Sequence, residues 1–277
     1  MVKIACERPD TCGRSLSQWD CQEIARQLVR DNIVGYISVE RVRQMLADHR
    51  LKPWRVRMWL SEKVERDAAF AECVRHLCDL YTRSLAEDEI VLSLDEKTSL
   101  QPRPRKSKTL PTRPEQPTRV EHEYGRCGAL NLLSAMDTRT GKVYGYTADR
   151  KRQVELIAFL EQLDRQIPLH ITKVHVVLDN VRMHTGKQVQ AWLAAHPRFL
   201  WHHPPVHCSW MNQVEQWFSI LQRKRLRIVD FSSKAHLSER LLTYIAQWNE
   251  TAHAFKWSAK SFTKILAKYQ QVADKAA

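Results

Sequence analysis

Val174-His175-Val176-Val177-Leu178-Asp179-Asn180-Val181-Arg182-Met183-His184 is the stretch around which this chain is organised, and Trp210-Met211-Asn212-Gln213-Val214-Glu215-Gln216-Trp217-Phe218 is its partner downstream. A short β-branched run that ends in a carboxylate predicts a buried strand. It delivers Asp179 to the edge of a sheet, where ligands of α/β proteins bind. Residues 180–214 separate Asp179 from Glu215. Trp210, Val214, Trp217, Phe218 and Leu221 recur at helical spacing as one apolar stripe. Glu215 falls roughly 120° from the centre of that stripe, beside it rather than in it.

Upstream, Ile90-Val91-Leu92-Ser93-Leu94 is a second strand-like run, and it ends in Asp95-Glu96-Lys97. A lone carboxylate at a strand end is more often a cap or an ion-pair partner, but two on strands and one on a helix point to a site. Two strand-borne aspartates and a helix-borne glutamate suit a pair of hard divalent cations, Mg²⁺ or Mn²⁺, which take oxygen ligands and leave positions for substrate phosphate. Such a pair stands about 3.5–4 Å apart and stabilises the attacking and leaving oxygens of an in-line displacement. The expected chemistry is phosphodiester cleavage or transfer. If residues 90–96 stay extended, Glu96 turns to the opposite face from Asp95.

The 277 residues carry 44 Lys+Arg against 31 Asp+Glu, a formal charge of +13. Neutralising phosphates releases condensed counterions, so a polyanionic partner is expected; charge alone does not separate DNA from RNA or a membrane surface. Acids clustered in so basic a chain sharpen the site, since a polyanion is repelled by carboxylates unless cations bridge them. Seven scattered cysteines make no disulfide framework and suit a reducing cytosol. No apolar run approaches the roughly 18 residues of a membrane span, and the N-terminus lacks a signal-peptide core. A cytoplasmic, nucleoid-associated protein is expected.

Taken in order, residues 1–14 show no periodicity. Asp20 with Glu23 predicts a capping box for a helix bearing Ile24, Ala25 and Leu28. Ser38 caps a second helix with Val39, Val42, Met45 and Leu46 inward and Arg41, Arg43 and Gln44 outward. Residues 1–60 are therefore expected to be a helix-turn-helix module, with a generic helical hairpin as the alternative. Lys52 to Trp59, with Arg55, is a basic arm or a packed connector, and residues 61–88 are a linker helix. Cys73, His76 and Cys78 lack the paired spacings of a zinc site.

Residues 89–277 are the expected catalytic domain. Gln101 to Thr118 is rich in proline and in Arg103, Arg105 and Lys106, an extended loop or a DNA-contacting arm. Leu130 to Tyr146 is a β-hairpin turning at Asp137 to Gly141, and 153–166 is a helix burying Val154, Ile157, Ala158, Leu160 and Leu163. The Asp179 strand, a helix over 188–195, a strand at Phe199 to Trp201 and the Glu215 helix follow. Arg223, Lys224 and Arg227 at the end of that helix complement its dipole or hold phosphates. His202, His203 and His207 suit Mg²⁺ less well than oxygen ligands and are expected to face DNA or to serve structure. Helices around Leu237 to Trp248 and around Ile265, Leu266 and Tyr269 close the chain. The class is α/β, a mixed sheet flanked by helices after a small all-α module.

Four segments in one order, LSLDEKTSLQ (92–101), EHEYGRCGALNLLSAMDTRTGKV (121–143), VVLDNVRMH (176–184) and PPVHCSWMNQVEQWFSILQRK (204–224), resemble the DDE-type transposases of bacterial insertion sequences in the mariner-related superfamily. The resemblance runs from about residue 15 to about 270. It implies an RNase H-like core, divalent metal, and cleavage and transfer of double-stranded DNA, with Asp95, Asp179 and Glu215 matching the catalytic triad. It also implies a homodimer and a short TA-containing target. Asn180, His184 and Asn212 match polar positions of its motifs and are expected to orient carboxylates, water or phosphate.

The chain departs from the family in two ways. Such transposases carry a longer N-terminal region with a further helix-turn-helix, and this chain is expected to begin at the second. Cys208 stands where a small residue such as glycine is common, a change expected to shift the loop before Glu215. The competing expectations are a decayed or repurposed DNA-binding protein and a structure-specific nuclease without strand transfer.

Overall fold

Ile90 to Ser93 and Val174 to Val177 lie side by side in parallel, with Leu92 opposite Val176, at the centre of a five-stranded sheet. The computed structural model describes residues 1–56, 68–205, 208–257 and 263. Its strands are β1 (Glu89–Leu100), β2 (Leu130–Asp137), β3 (Val143–Ala148), β4 (Lys173–Val177) and β5 (Phe199–His202), ordered β3-β2-β1-β4-β5. The first three pair antiparallel and the last two join β1 in parallel. The helices are α1 (Val2–Cys6), α2 (Cys21–Arg30), α3 (Val39–Asp48), α4 (Ala68–Thr82), α5 (Gln153–Gln166), α6 (Arg182–Thr185), α7 (Lys187–Ala195), α8 (Val214–Lys224) and α9 (Lys234–Glu250). A mixed sheet with helices on both faces is the RNase H-like α/β arrangement the sequence predicts.

Alternation along β1 sorts its side chains between the two faces. Leu92 and Leu94 pack with Leu156, Phe159, Leu160 and Leu163 of α5, while Val91 packs with Val74, Leu77 and Leu80 of α4. Leu132 and Met136 of β2 lie under Trp217 and Leu221 of α8 and Leu237 and Leu241 of α9. Each such fully buried side chain contributes about 1.5–3 kcal/mol. By the same parity Ser93 and Asp95 belong to the α4 and α8 face and Glu96 to the α5 face.

The contacts divide the chain into two units, Met1–Lys63 and Val64–Ala277. In the first, Ile4, Ala5, Trp19, Ile24, Leu28, Val42 and Leu46 form a core of their own. Its first residues, which show no period in sequence, are structured: α1 buries Ile4, and Trp19 Nε1 donates to the Glu7 carbonyl at 2.9 Å. A helix of five residues is too short to show a period. Asp20 caps α2 through the Glu23 N–H at 2.8 Å, but the Glu23 carboxylate turns to Arg14 and Arg26 at 2.6 Å each, so the capping box is half made. Ser38 caps α3 at 3.1 Å, and Val39, expected inward, is exposed. The connection over residues 31–38 exceeds the roughly three or four residues of a tight helix-turn-helix.

In the second unit α4, expected as part of a linker, packs on the sheet. The Arg139 guanidinium, in the β2–β3 turn, donates to the carbonyls of Tyr81 at 2.6 Å and Leu80 at 3.2 Å at its C-terminus. The buried face of α5 is Leu156, Phe159, Leu160 and Leu163, whereas Val154 is exposed; apolar residues ring this helix, so spacing alone leaves its phase open. Trp210, placed in the apolar stripe, is instead 42% exposed in a 3₁₀ turn, Ser209–Met211, ahead of α8.

The proline-rich segment after β1 folds back on itself as a ribbon. Leu110 and Arg119 exchange backbone bonds of 2.9 and 3.0 Å, and the Gly125 N–H donates to Pro104 at 2.8 Å. Prolines hold it to isolated bridges. Residues 57–67, His207, and the helix expected around Ile265, Leu266 and Tyr269 lie outside the described residues.

Gly141 closes the β2–β3 turn at φ 75°, and a Cβ there would stand 2.1 Å from the His253 carbonyl oxygen. Gly141→Ala is expected to destabilise by at least about 1–3 kcal/mol, lowering the thermal midpoint by several degrees. An unchanged melting curve would contradict this packing.

Candidate active site

The last β1–β4 pair is Ser93 with Val177, so Asp95 and Asp179 each lie two residues beyond it at the same end of the sheet. Neighbouring strands stand about 4.8 Å apart, which brings these acids together although 83 residues lie between them. Glu215 arrives from the other side of the chain's fold, in the first turn of α8. The start of that helix is pinned to β1: the Val214 N–H donates to Ser93 Oγ at 2.9 Å, and the Ser93 hydroxyl bonds Asn212 Oδ1. Asn212 Nδ2 donates to the Leu94 carbonyl at 2.8 Å and to Asp95 Oδ2 at 3.3 Å. Tyr81 of α4 donates to the Met211 carbonyl at 2.9 Å. Ser93 and Tyr81 were missed in the sequence; the signal for Ser93 was a hydroxyl in an apolar strand, in the same phase as Asp95.

The charges of this cluster are felt most at Asp95. Burial pushes its carboxyl up to about 7, and the charges of Glu96, Glu215 and Asp179 add to the rise, against the Glu96 N–H that donates to Oδ1 at 2.7 Å. Asp179 is held below the ordinary carboxylate range, chiefly by His184. His184, fully buried on α6, places Nε2 2.6 Å from Glu96 Oε1 and Nδ1 2.9 Å from Asp179 Oδ1. Burial is the largest single influence on the ring and pushes it down, but its contacts with Asp179 and Glu96 outweigh that and hold it at about 10. The imidazolium thus joins the two faces of the sheet edge. The angle at Nδ1 favours the Asp179 carbonyl oxygen, also at 2.9 Å, as acceptor. Asp179 Oδ1 is buried and has no hydrogen-bond donor among the described residues.

Of the polar residues expected to assist, Asn212 and His184 are buried in the cluster and Asn180 is exposed beside it. Cys208 is 6% exposed and packs with Val91, Val177 and Met211 as a small apolar side chain. His202 serves structure: its ring nitrogens lie 2.9 Å from His76 Nε2 and 2.9 Å from His175 Nδ1, and burial pushes it down to about 4. His203 Nδ1 meets the Leu178 carbonyl at 3.0 Å.

The basic positions divide into engaged and open ones. Arg43 and Gln44 are tied to Glu40 at 2.6 and 3.2 Å, and Lys106 pairs with Glu123. Arg103 and Arg105 lie over the Tyr124 ring, each 5.1 Å from its centroid. Arg223 donates to Ser219 at 2.6 Å, and Arg41, Arg55, Lys224 and Arg227 are exposed. Among the described residues no group of three or more His, Cys, Asp or Glu side chains is arranged so that it could hold a metal ion as it stands, and no helix there is long and apolar enough to cross a membrane.

Residues 90–238 match the family model described as DDE superfamily endonuclease. Over 134 residues the chain is 26% identical to the insertion element IS630 uncharacterized 39 kDa protein of Shigella sonnei, covering 48% of this chain and 38% of that protein. The match thus spans under two fifths of the relative. Among solved structures, the Mos1 mariner paired end complex with Mn is similar at TM-score 0.52 and 18% identity, over 82% of this chain and 67% of that chain. A pre-cleavage Mos1 transpososome is similar at TM-score 0.52 and 16% identity, over 91% and 73%. At these identities the likeness is one of fold.

Two outcomes follow from the electrostatics. Asp95 is raised in the folded state above its unfolded value of about 3.9, so its ionisation destabilises the fold as pH rises from about 4 through 7. Asp95→Asn is therefore expected to melt higher than the parent at pH 8 without divalent cations and alike at pH 4; equal midpoints at both would refute the crowding. His184→Ala removes the partner of Glu96, whose side chain is only 4% exposed, and is expected to cost about 3–5 kcal/mol in denaturant unfolding. Adding Glu96→Gln should recover part of that loss.

Proposed function

The chain belongs to the DDE superfamily endonuclease family, and from that we propose that it is a transposase of an insertion element, which cuts double-stranded DNA at the element's ends and joins a 3′ end to a target. The observation that supports this reading is that the charges of Glu215 and Asp179, from α8 and from the end of β4, both reach the buried carboxyl of Asp95. Crowded carboxylates in a basic protein suit divalent cations, and the buried Asp179 Oδ1, which accepts no hydrogen bond of good geometry among the described residues and has the His184 ring 2.9 Å away, is a hard oxygen of the kind such ions take. Asp95, Asp179 and Glu215 would hold Mg²⁺ or Mn²⁺, in keeping with Mos1 complexes formed with either metal. When bound as a pair, such ions lower the pKa of an attacking water or 3′-hydroxyl and stabilise the leaving oxygen.

The rest of the work falls to the chain. Burial and acidic neighbours push the Asp95 carboxyl up to about 7, and as a metal ligand it would serve in its ionised form. Ser93, Asn212 and the Val214 N–H hold the start of α8 against β1, which would give Glu215 a rigid base from which to act with the two aspartates. Met1–Lys63 would serve as the DNA-binding module, with Arg41 and Arg55 toward the duplex. The active form would be a homodimer on paired ends.

Asp95→Asn, Asp179→Asn and Glu215→Gln are each expected to lower Mg²⁺-dependent nicking of end-sequence DNA by about 10³-fold or more, with circular dichroism and DNA binding retained. Undiminished nicking by all three would overturn the assignment. Nicked products that never join a second duplex would leave a nuclease without strand transfer, and DNA binding with no nicking by the parent would leave a DNA-binding protein alone.

A further inference from the structure

Beyond Asp95, β1 runs on into a cavity of about 380 Å³ lined by Lys97, Gln101, Arg103, Arg105, Gln222 and Arg227, among others, with no acidic side chain in its wall. Lys97 shares the phase of Asp95 and follows it by about 6.6 Å along the strand. Past Lys97 the β1–β2 register shifts, and Ser99 turns at φ 58°, so the strand bends away and leaves the hollow open.

The cavity is built rather than incidental. The Phe231 N–H donates to the Pro102 carbonyl at 3.0 Å, and Arg105 is fixed by bonds to the Val229 carbonyl at 3.2 Å and the Glu121 carbonyl at 2.7 Å. These bonds orient the guanidinium without cancelling its charge. Lys97 lies over the Phe218 ring at 5.8 Å, and among the described residues Lys97, Arg103, Arg105 and Arg227 form no ion pair. Uncompensated cations held this close repel one another unless an anion lies between them.

A second hollow, of about 400 Å³, meets the first at Arg227 and continues along Arg223 and Lys224. Its one acid, Asp230, accepts from the Arg105 backbone N–H at 3.2 Å. A small anion would fill one hollow; a repeating polyanion matches both. We propose that the two form a phosphate-tracking groove that holds the DNA strand flanking the scissile phosphodiester, with Lys97 on the phosphate next to the one at the carboxylates and Arg227 on a following one. The inference rests on the function proposed above and adds the path of the strand and the role of Lys97.

The test uses the full chain, EDTA and a fluorescein-labelled duplex bearing the element end, with affinity read by anisotropy across a salt series. Each phosphate contact contributes about 0.9 to the slope of log affinity against log salt for duplex DNA and about 0.7 for a single strand. Lys97→Ala and Arg227→Ala are each expected to lower the slope by about that amount, and the pair by their sum, with unchanged circular dichroism. Arg165→Ala, on the exposed side of α5, should leave it unchanged. A neutral methylphosphonate beside the cleavage position should weaken the parent and leave Lys97→Ala indifferent. Parental slopes in both variants, or equal methylphosphonate sensitivity, would overturn the groove while Mg²⁺-dependent nicking still decided the enzymatic reading. A parent that fails to bind the duplex would overturn both.

Discussion

Negative charges that repel one another in a small, half-dry space constrain everything around them. Burial pushes the Asp95 carboxyl up, and the charges of Glu96, Glu215 and Asp179 push it further. The fold meets this repulsion by different means on the two faces of the sheet. On the α5 face the buried imidazolium of His184 satisfies Glu96 and leans on Asp179. On the α8 face Asp95 has no ion-pair partner among the described residues, and burial with its acidic neighbours pushes its carboxyl up to about 7 instead. That asymmetry makes one face structural and leaves the other open to ions brought from solution.

Such a cluster persists only if the scaffold does not relax. The aspartates sit two residues past the end of the parallel β1–β4 ladder, and the strands are buried on both faces by α4, α5, α8 and α9. Glu215 lies on a helix, and the helix would be free to slide without the Ser93 and Asn212 contacts that fasten its first turn to β1. The buried hydroxyl and amide are costly to bury unpaired, so each forces the other into place. Cys208 joins the apolar cluster under this turn, where its modest volume replaces the freedom a glycine would have.

Positive charge is distributed with the same economy. In the first unit several basic side chains are answered by acids on the same helix, as Arg43 is by Glu40. At the base of the ribbon and the end of α8, Lys97, Arg103, Arg105 and Arg227 form no ion pair among the described residues. They line two adjoining hollows beyond Asp95, which would give a polyanion somewhere to lie.

Local patterns along the chain were enough to establish the strands, the hairpin and the cap residues Asp20 and Ser38, and to single out Asp95, Asp179 and Glu215 as candidates, because alternation, helical spacing and capping are properties of neighbouring residues. They also carried the family resemblance, which the match over residues 90–238 bears out. They failed where two phases were equally apolar, as in α5, and where elements were too short to repeat, as in α1 and α6. What only the tertiary structure decided is which residues meet: the Ser93–Val177 register, Asn212 on Leu94 and Asp95, and His184 on Glu96 across 88 positions of sequence. Strand register and the closing of distant contacts depend on how whole elements pack, and no window of neighbouring residues contains that information.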